Sequence, residues 1–191
     1  GHYGRGIYFA SSPGEARYYG PNVGKYYKRG KYLDLSNTSG DLTMLGHFKS
    51  FAPKLKEIGA LSKEQKQALA SYEKADDYVE QNVRYIKAQN SDGTDGVMAR
   101  LPVDGPAQEL SSRLGVRGFP KTEAEALESV KYQFYDHVKY GEREKYPGIG
   151  TEAASLSDYV RTDLGAANLT EAAKNSGYDG IVYGDETIVF D

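Results

Sequence analysis

Hydrophobic residues form short runs near both ends of the chain and recur at helical spacing through its middle. Ile7–Ala10 is a compact apolar run and predicts a short strand. Ser12, Pro13 and Glu15 then stand as N-cap, first helical residue and capping-box acid. A short helix is expected there, ending at Gly20 before Pro21. Lys25–Leu35 alternates roughly, which predicts a strand with a bulge at Gly30.

Between residues 37 and 165 the pattern changes to steps of three and four, and a mostly helical block is expected. A first helix over Leu42–Ile58 should be interrupted or kinked at Pro53. Ser62 and Gln65 can form a capping box for a long helix striped by Leu69, Tyr72, Ala75, Val79, Val83 and Ile86. Asn90–Gly105 is loop-rich with one strand at Val97–Val103. Thr122 and Glu125 then cap a helix striped by Leu127, Val130, Phe134 and Val138, with Gly141 as its stop. In the last block, 166–191, Asn168–Glu171 caps a short helix ending near Gly177. Ile181–Tyr183 and Glu186–Phe190 flank Gly184-Asp185, a two-residue loop with glycine first that suits a primed hairpin turn. The two-residue strand period puts Glu186, Ile188 and Phe190 on one face.

Composition adds mostly exclusions. Hydrophobic content of 39%, charged content of 27% and a net charge of −3 over 191 residues describe an ordinary globular chain with no global pull toward nucleic acid or anionic membrane. Without cysteine there is no disulfide, thiolate nucleophile or cysteine zinc site. No apolar run approaches a membrane span, neither end reads as a signal peptide, and no membrane partner is expected. Seventeen tyrosines against six phenylalanines and no tryptophan supply flat rings with a hydroxyl, suited to ligand clefts. Gly4-Arg5-Gly6-Ile7-Tyr8-Phe9 lacks the third glycine and the preceding strand of a dinucleotide fingerprint. Asn90–Gly96 fails the glycine and terminal glutamate positions of a calcium loop and reads as a turn. His47 and His137 stand alone and read as helix-face residues. Lys25–Tyr32 interleaves bases with aromatics, a pattern that can stack on single-stranded nucleic acid or simply face solvent.

Gly4-Arg5-Gly6-Ile7-Tyr8-Phe9-Ala10, followed by Ala16-Arg17-Tyr18-Tyr19-Gly20, resembles the NAD-binding core of ADP-ribosyltransferases. The likeness is to the diphtheria-toxin and poly(ADP-ribose) polymerase branch, whose pattern is histidine, tyrosine, glutamate. Gly177–Val182 with Glu186–Asp191 is similar to that branch's glutamate strand, especially in phage and mobile-element polyvalent proteins and bacterial toxins. The resemblance implies an α+β fold: an antiparallel split sheet built from residues 1–36 and 166–191, with 37–165 as a helical insertion. It implies NAD as substrate and no metal. Glu186 matches the catalytic glutamate, Tyr8 the first nicotinamide-stacking tyrosine, and Tyr19 or Tyr18 the second. Gly4 and Gly6 would let backbone approach the dinucleotide, with Phe9 completing the binding strand. The arginine branch fits poorly, because Gly184 stands two residues before Glu186 and no Ser-Thr-Ser occurs.

The family's histidine lies on an earlier strand, and His2 is too close to Tyr8 to be that residue. The abrupt apolar ends therefore suggest an excised piece that lacks the histidine strand and the strand after the glutamate strand, and that binds NAD weakly alone. The expected activity is transfer of ADP-ribose from NAD to a protein or RNA acceptor, with nicotinamide released, in the cytoplasm of its own or a target cell. An inhibitor or partner segment would dock on the insertion. The rivals are a degenerate, non-catalytic transferase fold that binds a partner, and a nucleic-acid-binding domain using the basic tyrosine-rich strand.

Overall fold

The computed structural model describes residues 6–40, 43–104, 108–112, 118–149 and 163–191. The chain is mixed α+β and divides into two compact units, one comprising 1–69 with 152–191 and the other 70–151.

In the first unit β1 (Ile7–Ala10) leads into α1 (Pro13–Ala16) and a 3₁₀ turn, Arg17–Tyr19. Ser12 caps α1 by accepting from the Glu15 N–H at 3.3 Å, and Pro13 takes the first helical position, where a missing N–H costs nothing. Gly20 ends the turn, as expected. The expected strand Lys25–Leu35 shrinks to β2 (Tyr32–Asp34), and the stretch before it is exposed chain without regular structure. Only the last residues of that run have a neighbouring strand to complete their backbone hydrogen bonds. Next comes α2 (Met44–Glu57), capped by Thr43 and continuous through Pro53, so of the interruption or kink expected there the interruption does not occur. The unit resumes with α5 (Asp163–Asn175), β6 (Gly180–Tyr183) and β7 (Glu186–Val189). Helix α5 starts before Asn168, which lies inside it rather than at its cap.

The four strands run in the order β1-β7-β6-β2. Three of them are antiparallel neighbours, but β2 pairs with β6 in parallel, so the sheet is mixed where an antiparallel one was expected. Register aligns Tyr8, Ile188, Ile181 and Leu33 in one row across the sheet. Ile188 and Ile181 are fully buried and Leu33 nearly so, which places this face on the core. Each such isoleucine contributes about 1.5–3 kcal/mol of burial. Phe48, Phe51 and Leu55 of α2 and Leu169 of α5 are also buried.

The second unit takes in most of α3 (Lys63–Asn82), then β3 (Arg84–Gln89), β4 (Asp95–Pro102), β5 (Glu109–Ser111) and α4 (Glu123–His137). The middle of the chain is thus largely helical among its described residues, as expected, but it also holds a three-stranded antiparallel sheet, β3-β4-β5, where a single strand was expected. The helical stripe was extended too far. The Asn82 side chain takes the Tyr78 carbonyl at 2.8 Å, α3 ends, and Ile86 belongs to β3. The turn read at Asn90–Gly96 is shorter in the structure: Asn90–Thr94 turns the β3–β4 hairpin, and Asp95 and Gly96 already belong to β4. Gly141 does not stop α4, which passes into a π-helical turn, Val138–Glu142. Val130, Phe134 and Val138 are fully buried, and His137 Nε2 donates to the Asp104 carbonyl at 3.0 Å as a helix-face residue.

Candidate active site

The β6–β7 hairpin fixes the position of Glu186. Tyr183 and Glu186 are cross-strand partners, so only Gly184 and Asp185 make the turn. Gly184 has φ of 58° and Asp185 is not among the positive-φ residues, the arrangement of a type II′ turn with glycine first. Two segments distant in sequence hold this turn. The Ser11 N–H donates to the Asp185 carbonyl at 2.8 Å, and the Gly184 N–H donates to Ser36 Oγ at 2.9 Å. The carboxylate-bearing end of β7 is therefore clamped from both sides.

β1 brings the first tyrosine to the same face. Ala10 lies opposite Glu186 and Tyr8 opposite Ile188. Tyr8 is thus a diagonal neighbour of Glu186, about 7–8 Å away across the strand pair. It is 36% exposed, with its fully buried strand partner Ile188 beside it. The short capped helix then returns the chain so that the Tyr19 hydroxyl donates to Glu186 Oε1 at 3.1 Å, across 167 positions of sequence. That bond and the negative charge of Glu186 raise the Tyr19 phenol above its ordinary pKa, since ionising it would set two anions side by side. Tyr19 is otherwise open to solvent, 81% exposed, and its ring remains accessible.

The other residues singled out from sequence fall elsewhere. Between the two tyrosine alternatives, the structure brings Tyr19 to Glu186. Tyr18 is 90% exposed and lines a shallow depression of about 470 Å³ with Ser12, Gly14, Glu15 and Arg17. Phe9 alternates to the opposite sheet face from Tyr8, where its ring meets Tyr26 edge-on at 5.4 Å between centroids. Gly4 lies outside the described residues. Gly6 has a reason of its own: a Cβ there would sit 2.2 Å from the Val189 carbonyl oxygen. Its bareness serves the close approach of β1 to β7.

Sequence reasoning missed two residues. Tyr183, directly opposite Glu186, sets its hydroxyl 3.0 Å from His47 Nδ1 on α2, and the two rings stack at 6.0 Å and 21°. One end of the sheet thus carries a polar series drawn from four segments: Tyr19, Glu186, Tyr183 and His47. Tyr183 was within reach of sequence reasoning, because the two-residue hairpin already dictates that it faces Glu186. Nothing in the sequence around His47 signals its place.

Chemically the cluster offers a fixed carboxylate beside accessible aromatic faces, with the His47 imidazole hydrogen-bonded to Tyr183 on the neighbouring strand. Among the described residues no group of three or more histidine, aspartate or glutamate side chains is placed to hold a metal, and no helix is long and apolar enough to cross a membrane. Comparison with protein-family models, with curated proteins and with solved structures finds nothing that matches this chain.

Proposed function

We propose that the chain transfers ADP-ribose from NAD to a protein or RNA acceptor and releases nicotinamide. The observation that carries this reading is the hydrogen bond from Tyr19 to Glu186, made on the sheet face that also presents Tyr8. The residues joined there are the ones that resemble the transferase tyrosines and glutamate. On this reading the sheet β1-β7-β6-β2 is the transferase core, and the insertion expected over 37–165 narrows to the compact unit 70–151.

The chemistry follows from charge. The bond between nicotinamide and ribose breaks with its electron pair leaving on the nicotinamide, which becomes neutral, while positive charge builds on the ribose as in glycosidase transition states. A nucleophilic atom of the acceptor supplies the pair for the new bond and loses its proton if it carries one. Glu186 faces the developing cation and accepts a hydrogen bond from the ribose 2′-hydroxyl, which displaces the exposed Tyr19 hydroxyl from Oε1. Tyr8 and Tyr19 hold the nicotinamide flat by their ring faces. Tyr183 and His47 are positioning residues: they brace the strand end opposite Glu186.

The test uses NAD labelled in its adenylate half, with RNA or cell lysate as acceptor. Glu186→Gln keeps the shape and removes the charge, so label transfer and nicotinamide release should fall by at least about 10²-fold while NAD binding by calorimetry changes far less. A fully active Gln variant, or a wild type that neither transfers nor hydrolyses, rejects the proposal and leaves a non-catalytic binding module.

A further inference from the structure

From the exposed segment Pro21–Lys31 we infer a second binding surface, one for single-stranded nucleic acid, distinct from the Glu186 cluster. Between Ala16 and Leu33 the sequence has no carboxylate, yet Lys25, Lys28, Arg29 and Lys31 fall within seven residues. Every residue from Pro21 to Lys31 is exposed, and none of these four cations forms an ion pair with a described carboxylate. The chain's net charge of −3 makes this concentration of positive charge local rather than general.

Aromatic rings alternate with these charges. Tyr26 is 73% and Tyr27 81% exposed. Lys25 Nζ stands 5.5 Å from the Tyr27 ring centre and Lys28 Nζ 5.0 Å from that of Tyr32, so cation and ring are presented side by side. A strand of nucleic acid repeats the complementary pair, an anionic phosphate and a flat base. An acidic peptide would satisfy the charges and leave the rings unused, and a duplex keeps its bases inside the stack.

The segment is also anchored. The Lys31 backbone makes two hydrogen bonds with Asp179: its N–H donates to the side-chain Oδ2 at 2.8 Å and its carbonyl accepts from the Asp179 N–H at 2.7 Å. In its middle Tyr26 packs its ring on Phe9 of β1. These two anchors lower the ordering cost of binding.

Fluorescence anisotropy with labelled twelve-nucleotide rU and dT probes tests this without NAD. It is therefore separate from the transferase reading: loss of binding with NAD turnover intact rejects this surface alone, and the reverse rejects only the enzyme. If all four cations meet phosphates, log affinity should fall with log salt at a slope of about −2.8, roughly a fiftyfold loss between about 50 and 200 mM salt. Lys25→Gln with Arg29→Gln should halve the slope to about −1.4. Tyr27→Ala should weaken both probes by about 5- to 150-fold, and Tyr27→Phe, which keeps the ring, should bind like the wild type. Circular dichroism melts control for folding. No binding at low salt, equal binding of polyglutamate or of a duplex, or an unaffected Tyr27→Ala variant would each overturn the inference.

Discussion

Gly6→Ala separates a structural role for this glycine from a role in letting NAD approach. An added Cβ would meet Val189 O at 2.2 Å, Val189 C at 2.9 Å and Ile188 Cγ2 at 3.1 Å. The first two are backbone atoms of the paired strand, so no side chain can swing aside. Relieving the closest contact to an ordinary 3.4 Å requires a shift of about 1.2 Å between the start of β1 and β7. β1 is an edge strand, so it can yield without disturbing β6, which keeps the cost within the overpacking range of about 1–3 kcal/mol. For a chain of 191 residues that lowers Tm by roughly 2–12 °C. The displacement also moves Tyr8 relative to Glu186, and about 1 Å of misplacement costs on the order of 10² in rate. Thermal melts, hydrogen exchange over Ile7–Ala10 and NAD cleavage should therefore change together. An Ala variant with unaltered Tm and exchange but a raised KM for NAD would refute the packing argument and assign Gly6 to the ligand.

Further expectations follow from other parts of the molecule. Tyr19→Ala should lower NAD affinity about two- to tenfold, whereas Tyr19→Phe should preserve it; equal losses in calorimetry would show that the hydroxyl and not the ring matters. Ser62→Ala removes one half of a reciprocal cap, in which the Ser62 N–H donates to Gln65 Oε1 at 2.8 Å and the Gln65 N–H to Ser62 Oγ at 3.1 Å. It should cost about 0.5–2 kcal/mol in urea melts, and an unchanged midpoint would mean that the cap is redundant. In the second unit burial, with a hydrogen bond to Tyr146, pushes the Tyr78 phenol up to about 12. Because the folded value lies above the unfolded value of 10.0, the stability tied to its neutral form is complete below pH 10 and lost as pH rises toward about 12. Tyr78→Phe should flatten that alkaline decline, and an identical decline in the variant would remove Tyr78 as its source.

What the sequence decided by itself was local. The Ser62–Gln65 box needs only two side chains three residues apart, so its reciprocal bonds were readable before any tertiary contact was known. The Ser12 and Thr122 caps and the Gly184-Asp185 turn are legible for the same reason, and the turn in turn fixed the partners of Glu186. Where partners come from far away, the pattern gave no guide. Lys25–Leu35 has the alternation of a strand, yet only Tyr32–Asp34 finds a neighbour, and that neighbour, β6, runs parallel and lies almost 150 positions on. The Ile86 position continued a helical period by coincidence, because a strand residue after a helix end can still fall at the next step of three. The meeting of Tyr19 with Glu186 was suggested by likeness, but the bond between them depends on how α1 returns over the end of β7. His47 reaches Tyr183 only because α2 packs beside that same end of the sheet. Caps and turns are short-range and carry their own geometry, whereas pairing register across long separations is settled by which faces can be buried together.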